Sequence, residues 1–475
     1  MNSENAASPP PSPASPTALP ERPTHVRYKV MAFLCVLSFL SYFDRVCISR
    51  ASESIEHDLL FDHRMMGLIM GAFWLAYGLF EIPGGWMGDR WGARLTLTRI
   101  VLAWSVFTAL SGSAVGFLSL LICRLLFGVG EAGAFPNMAR VQSEWLPVKS
   151  RARAGGLLWF SARWGGAFSP LIFGGLLTFC RAPAFRHALW GVGLESLSEA
   201  ADWRFGFWAS GLMGIAWCLA FYPWFRDKPA EKRGVNQAEL ALINQDRGPD
   251  HSHSHDARVW KQLLTNRNLW AMAILYFFNG FGWIFLASWV PTFFKTRFQI
   301  RFEDSEVISG LPLLFGGMSC LVGGLLSDWL VKRTGRRRLF RALFPVAGYV
   351  MASAAMLGLS VADTKTTAVV LLCVAGTAID FGQGANWASI VDIGGQYAGT
   401  ATGFINMIGN TGNTLGPIIA AQIFSFGLMG WRVLFCVYAC TFLIAASMWL
   451  FINPNQTFYD ERLQAEEAHL IEELL

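Results

Sequence analysis

Charge is scarce in this chain. Asp, Glu, Lys and Arg make up 15% of its 475 residues, against about 25% in a soluble domain, so most of its length cannot carry a water-facing surface. Paired cysteine motifs are missing as well. Nine cysteines lie singly with no CxxC, and Cys436 and Cys440, which share a helix face, read as small apolar fillers rather than a disulfide or ligand pair. No GxxxxGK[ST] loop occurs, which argues against ATP-driven pumping by this chain, and no HExxH or GxSxG occurs, which argues against a membrane enzyme. Residues 1–27 are rich in Pro and Ser and lack an apolar core. They are expected to form a disordered tail with no cleavable signal peptide. The formal charge of +5 falls in loops between apolar runs rather than on one patch, so no nucleic acid partner is expected.

What is present is apolar sequence. Hydrophobic residues make up 53% of the chain, enough for about a dozen spans of roughly 20 residues each. The runs predict helices at 28–50, 65–88, 94–114, 118–138, 152–178, 204–225, 269–293, 306–331, 338–360, 366–391, 399–424 and 432–452. The fold class is therefore an all-α membrane protein with twelve transmembrane helices. Lys and Arg concentrate in alternate loops: Arg90 and Arg94, then Arg140, Lys149, Arg151 and Arg153, then Lys332, Arg333, Arg336, Arg337, Arg338 and Arg341. By the positive-inside rule this basic face is cytoplasmic, which places both termini, including the tail 454–475, in the cytoplasm. The polar segment 227–268 is the one clear break in composition and connects residues 28–226 to 269–453. Its His251–Asp256 stretch, HSHSHD, reads as a solvated linker or as a weak metal-binding tract.

An internal repeat supports two six-helix halves. Gly84–Leu97 reads GGWMGDRWGARLTL after the second span, and Gly323–Leu339 reads GGLLSDWLVKRTGRRRL after the eighth. Parallel repeats of this kind are one of the known transporter architectures. Asp89 alone would pass for a surface turn residue; its second copy at Asp328 argues otherwise.

Charged residues inside the spans carry the functional signal. Asp44 and Arg45 interrupt the first span, and Arg124 and Glu131 the fourth. Each costs about 2.5–3.5 kcal/mol at the centre of a helix, so such residues face a bundle interior or a solute path, or pair with one another. Arg124 and Glu131 are seven apart and share a helix face. Tyr42 and Tyr77 are candidate hydroxyl donors or packing residues. Gln383, Asn386 and Trp387 form a polar-aromatic cluster in the tenth span, followed by Asn406 and Asn410 in the eleventh. Amides beside an aromatic surface suit a polyhydroxylated acid.

The segment Gly85-x-x-x-Asp89-Arg90-x-Gly92-x-Arg94 resembles the signature of the major facilitator superfamily. The segments Tyr42–Arg45, Arg124–Asn137 and Gly403–Asn410 resemble its anion:cation symporters. The resemblance covers about residues 28–453. It implies a 6+6 helical fold and proton-coupled symport of an organic anion, usually a sugar acid such as a hexuronate, aldonate or aldarate. An anion exchanger, or a sodium- or phosphate-linked carrier, is the alternative of the same fold, and a non-transporting sensor is a further one. The resemblance implies that Asp44 and Glu131 carry protons and that Arg45 holds the substrate carboxylate, with Arg124 alongside. It also implies a gate at Asp89, Arg90, Arg94 and Asp328. No enzyme activity, cofactor or metal is expected. The implied partners are the anion, protons and the lipid bilayer of the cell membrane, and the chain is expected to act as a monomer. Three further charges depart from the family pattern: Glu81, Arg163 and Asp380. Arg163 is expected either to pair with Asp380 or Glu131, or to hold a second anionic end of the substrate.

Overall fold

Backbone N–H and C=O groups in hydrocarbon must be satisfied within the chain, which leaves helices as the solution for apolar runs of this length. The computed structural model describes residues 22–184, 187, 202–245, 257–299, 302–424 and 428–459, and among these it is helical with no strand. Most of residues 1–27, the tail beyond 459 and the histidine tract 251–256 lie outside the described residues.

The first half contains α1 (Val26–Leu59), α2 (His63–Trp91), α3 (Ala93–Ser111), α4 (Phe117–Glu131), α5 (Ala134–Trp145), α6 (Arg151–Arg181) and α7 (Asp202–Trp224). Two short helices, α8 (Gln237–Asn244) and α9 (Ala257–Thr265), lie in the connecting segment. The second half contains α10 (Arg267–Ser288), α11 (Val290–Phe298), α12 (Phe302–Thr334), α13 (Arg337–Ser360), α14 (Lys365–Phe381), α15 (Gln383–Gly394), α16 (Ala398–Phe424) and α17 (Leu428–Ser447). Among the described residues ten apolar helical stretches are long enough to cross a bilayer; one of them, Lys365–Ala420, joins α14, α15 and α16, and α6, at 31 residues, has the length for a further pass.

Two of the expected spans are each built from two helices. The fourth stops at Glu131 and restarts at Ala134, and the tenth is interrupted at Gly382. The first interruption has a local cause. Gly133 sits at φ +87°, where a side chain is strained, and a Cβ there would lie 2.6 Å from Gly84 Cα on α2. The backbone turns where it is pressed against its neighbour.

Each half has its own core. Residues from Val259 to Tyr459 form one continuous cluster, and residues of α1 to α7 form two others. Trp387 and Val391, which belong to α15, pack into a first-half cluster. The connecting segment is more than a linker. Glu239 of α8 is buried and accepts from Arg27 Nη1 (2.9 Å), from the backbone N–H groups of Val26 and Arg27, and from Thr24 Oγ1, which ties α8 to the start of α1.

The halves meet through α2 against α16 and α6 against α12, and the closeness is graded along each pair. On α2, a Cβ at Gly85 would lie 2.2 Å from Gly399 O. Seven residues away, at Gly78, it would lie 3.8 Å from Asn410 Cβ, and at Gly71 nothing is within 4 Å. On α12 the series repeats: Gly324 gives 2.4 Å to Ala152 O, Gly317 3.0 Å to Trp164, and Gly310 nothing within 4 Å. Residues seven apart lie on nearly the same helix face. The two helix pairs therefore touch at the basic face and diverge away from it.

Candidate functional site

Asp44 and Arg45 are neighbours on α1 but point to different faces, because successive helical residues are about 100° apart. Arg45 turns toward the end of α4, where its Nε donates to Glu131 Oε1 at 2.8 Å. Ser41, one turn earlier on the same face, donates to the same oxygen. Aromatic rings surround the guanidinium: Tyr77 at 4.3 Å, Tyr42 at 5.1 Å, Trp74 at 5.5 Å, Phe73 at 5.6 Å and Phe135 at 5.8 Å from Arg45 Cζ. Such a cage stabilises a cation through ring quadrupoles without neutralising it. Arg45 Nη2 and Glu131 Oε2 are buried and have no hydrogen-bond partner among the described residues.

Asp44 faces the other way. It is buried, has Arg124 and Glu131 as charged neighbours, and its Oδ1 takes no hydrogen bond among the described residues. Arg124 is equally buried; its Cζ lies 4.5 Å from the Phe127 ring and 5.2 Å from Phe73, and its Nε has no hydrogen-bond partner among the described residues. The sequence spacing put Arg124 and Glu131 on one face, but the acid is claimed by Arg45 from another helix.

A second guanidinium–carboxylate pair lies between the halves. Arg163 of α6 donates to both oxygens of Asp380 on α14, Nε at 2.8 Å and Nη2 at 2.9 Å. Its Cζ lies 4.3 Å from the Trp283 ring, 5.3 Å from Trp159 and 6.0 Å from Tyr42. The Tyr42 ring therefore lies within about 6 Å of both guanidinium carbons. Of the two expected partners for Arg163, the structure places Asp380.

The polar cluster of the tenth span is engaged with protein. Gln383 Nε2 donates to the Tyr276 hydroxyl (3.3 Å), Asn386 Nδ2 to the Tyr349 hydroxyl (2.9 Å), and Trp387 Nε1 to Gln142 Oε1 of α5 (3.0 Å). Asn406 and Asn410 both donate to buried Glu81, at 3.3 and 2.8 Å, and tie α16 to α2.

At the basic face the repeat acquires a physical meaning. Asp89, from α2, accepts from the backbone N–H of Gly399 (3.1 Å), the backbone N–H of Thr400 (2.6 Å) and Thr400 Oγ1 (2.7 Å). These are unpaired donors of the first turn of α16, where the helix dipole also favours an anion. Asp328, from α12, accepts from the backbone N–H of Ala152 (3.3 Å) and Arg153 (2.7 Å) at the first turn of α6, and from Arg341 (2.8 Å). Each half thus caps a helix of the other. Arg140 reaches the Gln396 carbonyl, and Arg151 binds Asp392 at 2.7 Å, both across the halves. Arg90 is exposed over Trp86, and Arg94 binds Asp227 and the Tyr222 carbonyl, so both stay within the first half.

Sequence reasoning placed Arg140 on the basic face without its contact to the other half, and did not find Gln142, Trp283, Tyr276 or Asp392, none of which stands out as a charge or motif within an apolar run. Ser41 was within reach, since its i, i+4 spacing to Arg45 is visible.

Comparisons with known proteins agree with this architecture. Residues 34–417 match the family model described as Major Facilitator Superfamily. The chain is similar to a probable sulfoacetate transporter, SauU, of Cupriavidus necator (29% identical, covering 91% of this chain and 95% of the relative). It is also similar to a probable galactarate/D-glucarate transporter, GudP, of Bacillus subtilis (30% identical, 84% and 86%). Among solved structures, the proton:xylose symporter XylE bound to 6-bromo-6-deoxy-D-glucose has the same fold, with a TM-score of 0.66 at 15% identity, covering 91% of this chain and 97% of that one. The chain belongs to the Major Facilitator Superfamily and is a multi-pass membrane transporter, not an enzyme.

Proposed function

We propose that this protein imports a small organic acid, most naturally a sugar acid or a related short acid, by proton-coupled alternating access. One observation carries the reading: a caged guanidinium, Arg45, whose only acidic hydrogen-bond partner among the described residues is a carboxylate, Glu131. A guanidinium binds a carboxylate bidentately, so an incoming acid competes with Glu131 for Arg45. Protonation of Glu131 removes its charge and frees the fork for substrate; return of substrate to water restores the pair and releases the proton. Asp44, whose Oδ1 takes no hydrogen bond among the described residues, serves as a second proton carrier beside Arg124. Sulfoacetate, galactarate and D-glucarate in the relatives' names support an organic acid as cargo.

The basic face is the cytoplasmic one in this reading, and both termini lie on that side. On the same reading the closed contacts there correspond to the outward-facing arrangement, with Asp89 and Asp328 as the inner gate. Residues 28–226 and 269–453 act as the two rocking bodies, joined by 227–268, and a single chain suffices for transport.

The test is uptake of labelled sugar acids into proteoliposomes under an imposed pH gradient. The wild type is expected to accumulate substrate against its gradient. Glu131→Gln, whose amide imitates the protonated acid but releases no proton, is expected to lose accumulation and keep counterflow. Accumulation at the wild-type level in Glu131→Gln refutes the proton role. Wild-type uptake that ignores the pH gradient and requires only an internal counter-anion makes the protein an exchanger.

A further inference from the structure

The two guanidinium–carboxylate pairs have a common form. Glu131 is the last residue of α4, immediately before the break at Ala132–Gly133, and Asp380 is the penultimate residue of α14, immediately before the interruption at Gly382. The fourth and tenth spans occupy equivalent places in the two halves, so each half presents one carboxylate at its broken helix. Each carboxylate is held by an arginine from another span, Arg45 for Glu131 and Arg163 for Asp380, at 2.8 Å in both cases. Both arginines lie against aromatic rings and share Tyr42, whose ring centre is 5.1 Å from Arg45 Cζ and 6.0 Å from Arg163 Cζ. The two guanidinium carbons are therefore no more than about 11 Å apart, the sum of those two distances. Neither guanidinium is saturated: Arg45 Nη2 is buried without a partner, and Arg163, whose Nε–Nη2 edge is taken by Asp380, makes no bond from Nη1 among the described residues.

We infer that Arg163 is a second anion site, and that the preferred cargo is a short dianion with an acid group at each end. The inference rests on the proposed function, in which Arg45 takes the first acid group. In the empty protein Asp380 occupies Arg163 as Glu131 occupies Arg45. The far acid group of the substrate exchanges with Asp380, so a molecule bridging both arginines engages one side chain of α1 and one of α6. Because Asp380 belongs to the second half, the exchange also loosens a tie between the halves, which couples recognition of the second acid group to the transport movement. A monoanion reaches Arg45 but leaves Arg163 on Asp380. An Arg163 with a purely structural role would instead tie α6 to α14 regardless of cargo.

The test compares cargo matched in length. D-Glucarate and D-gluconate differ at one end, acid against primary alcohol, and succinate and butyrate likewise differ by one acid group. Affinities are measured on purified wild type, Arg163→Gln, Arg163→Lys and the neutral pair Arg163→Gln/Asp380→Asn. The double variant leaves no unpaired buried charge, so it guards against misfolding of the single one; helical circular dichroism and monodispersity check it. The wild type is expected to bind at least one dianion ten-fold or more tighter than its monoanionic match. The double variant is expected to bring that ratio close to one while monoanion affinity stays within about three-fold, and Arg163→Lys is expected to retain part of the preference. A folded double variant that keeps the wild-type ratio, or a wild type that binds both members of each pair equally, overturns this inference and leaves the proposed function standing. A wild type that binds none of the four acids overturns both.

Discussion

Asp89→Ala is expected to unlock the basic face. The carboxylate receives three donors from the first turn of α16, at 3.1, 2.6 and 2.7 Å. A hydrogen bond to a charged group contributes about 1.5–3 kcal/mol, and the anion at a helix N-terminus adds about 0.3–1 kcal/mol. The donors regain water when the face opens, so the net loss is well below the sum, at roughly 2–4 kcal/mol. At about 1.4 kcal/mol per decade, the ratio of closed to open molecules falls roughly thirty-fold to several-hundred-fold. Distances between spin labels at Arg90 and Arg336, both exposed and one in each half, report the change directly. The expected result is a second, longer distance population in Asp89→Ala, and the same in Asp328→Ala, since the second acid makes the reciprocal contact. A distribution unchanged from wild type in the folded variants refutes the idea that these aspartates hold the face shut.

Two further outcomes follow from the same coordinates. Gly85→Val places a Cβ 2.2 Å from Gly399 O, in backbone rather than in a yielding side chain, and is expected to abolish the closed arrangement and with it transport, while Gly71→Val, with nothing within 4 Å, leaves both within about two-fold of wild type; uptake assays with the same labels check the pair. Arg45→Lys keeps the charge but loses the fork, and is expected to weaken substrate binding more than about ten-fold, or about 1.4 kcal/mol; a smaller loss in a titration would mean that Arg45 only neutralises Glu131.

Much of this was legible in the sequence, for definite reasons. A run of twenty apolar residues has few structural options, so the passes were readable from length alone. The repeat was readable because Asp89 and Asp328 each follow a Gly-Gly pair at a helix end. What escaped were relations between helices. Nothing in the order of residues says that Glu131 goes to Arg45 rather than to Arg124 on its own helix, since the choice depends on how α1 is rotated against α4. The interruption at Gly133 was hidden as well: glycine in a membrane helix signals close packing as readily as a turn, and the positive φ is set by contact with Gly84. Gln383, Asn386 and Trp387 were recognisable as a polar cluster, but their hydrogen-bond partners come from α10, α13 and α5, three elements distant in sequence.

Trp387 belongs to the second half by chain order and to the first half by packing. Its indole is fully buried, touches Trp159 and Phe135, and hands its N–H to Gln142. An aromatic side chain of this kind covers about 150–250 Å², and at about 25 cal/mol per Å² its withdrawal costs at most roughly 4–6 kcal/mol before the hydrogen bond is counted. In the proposed cycle, opening the basic face withdraws this ring from the opposite core. The indole is therefore a latch shared by both halves, and in the proposed cycle its release carries the same cost whatever acid is on board.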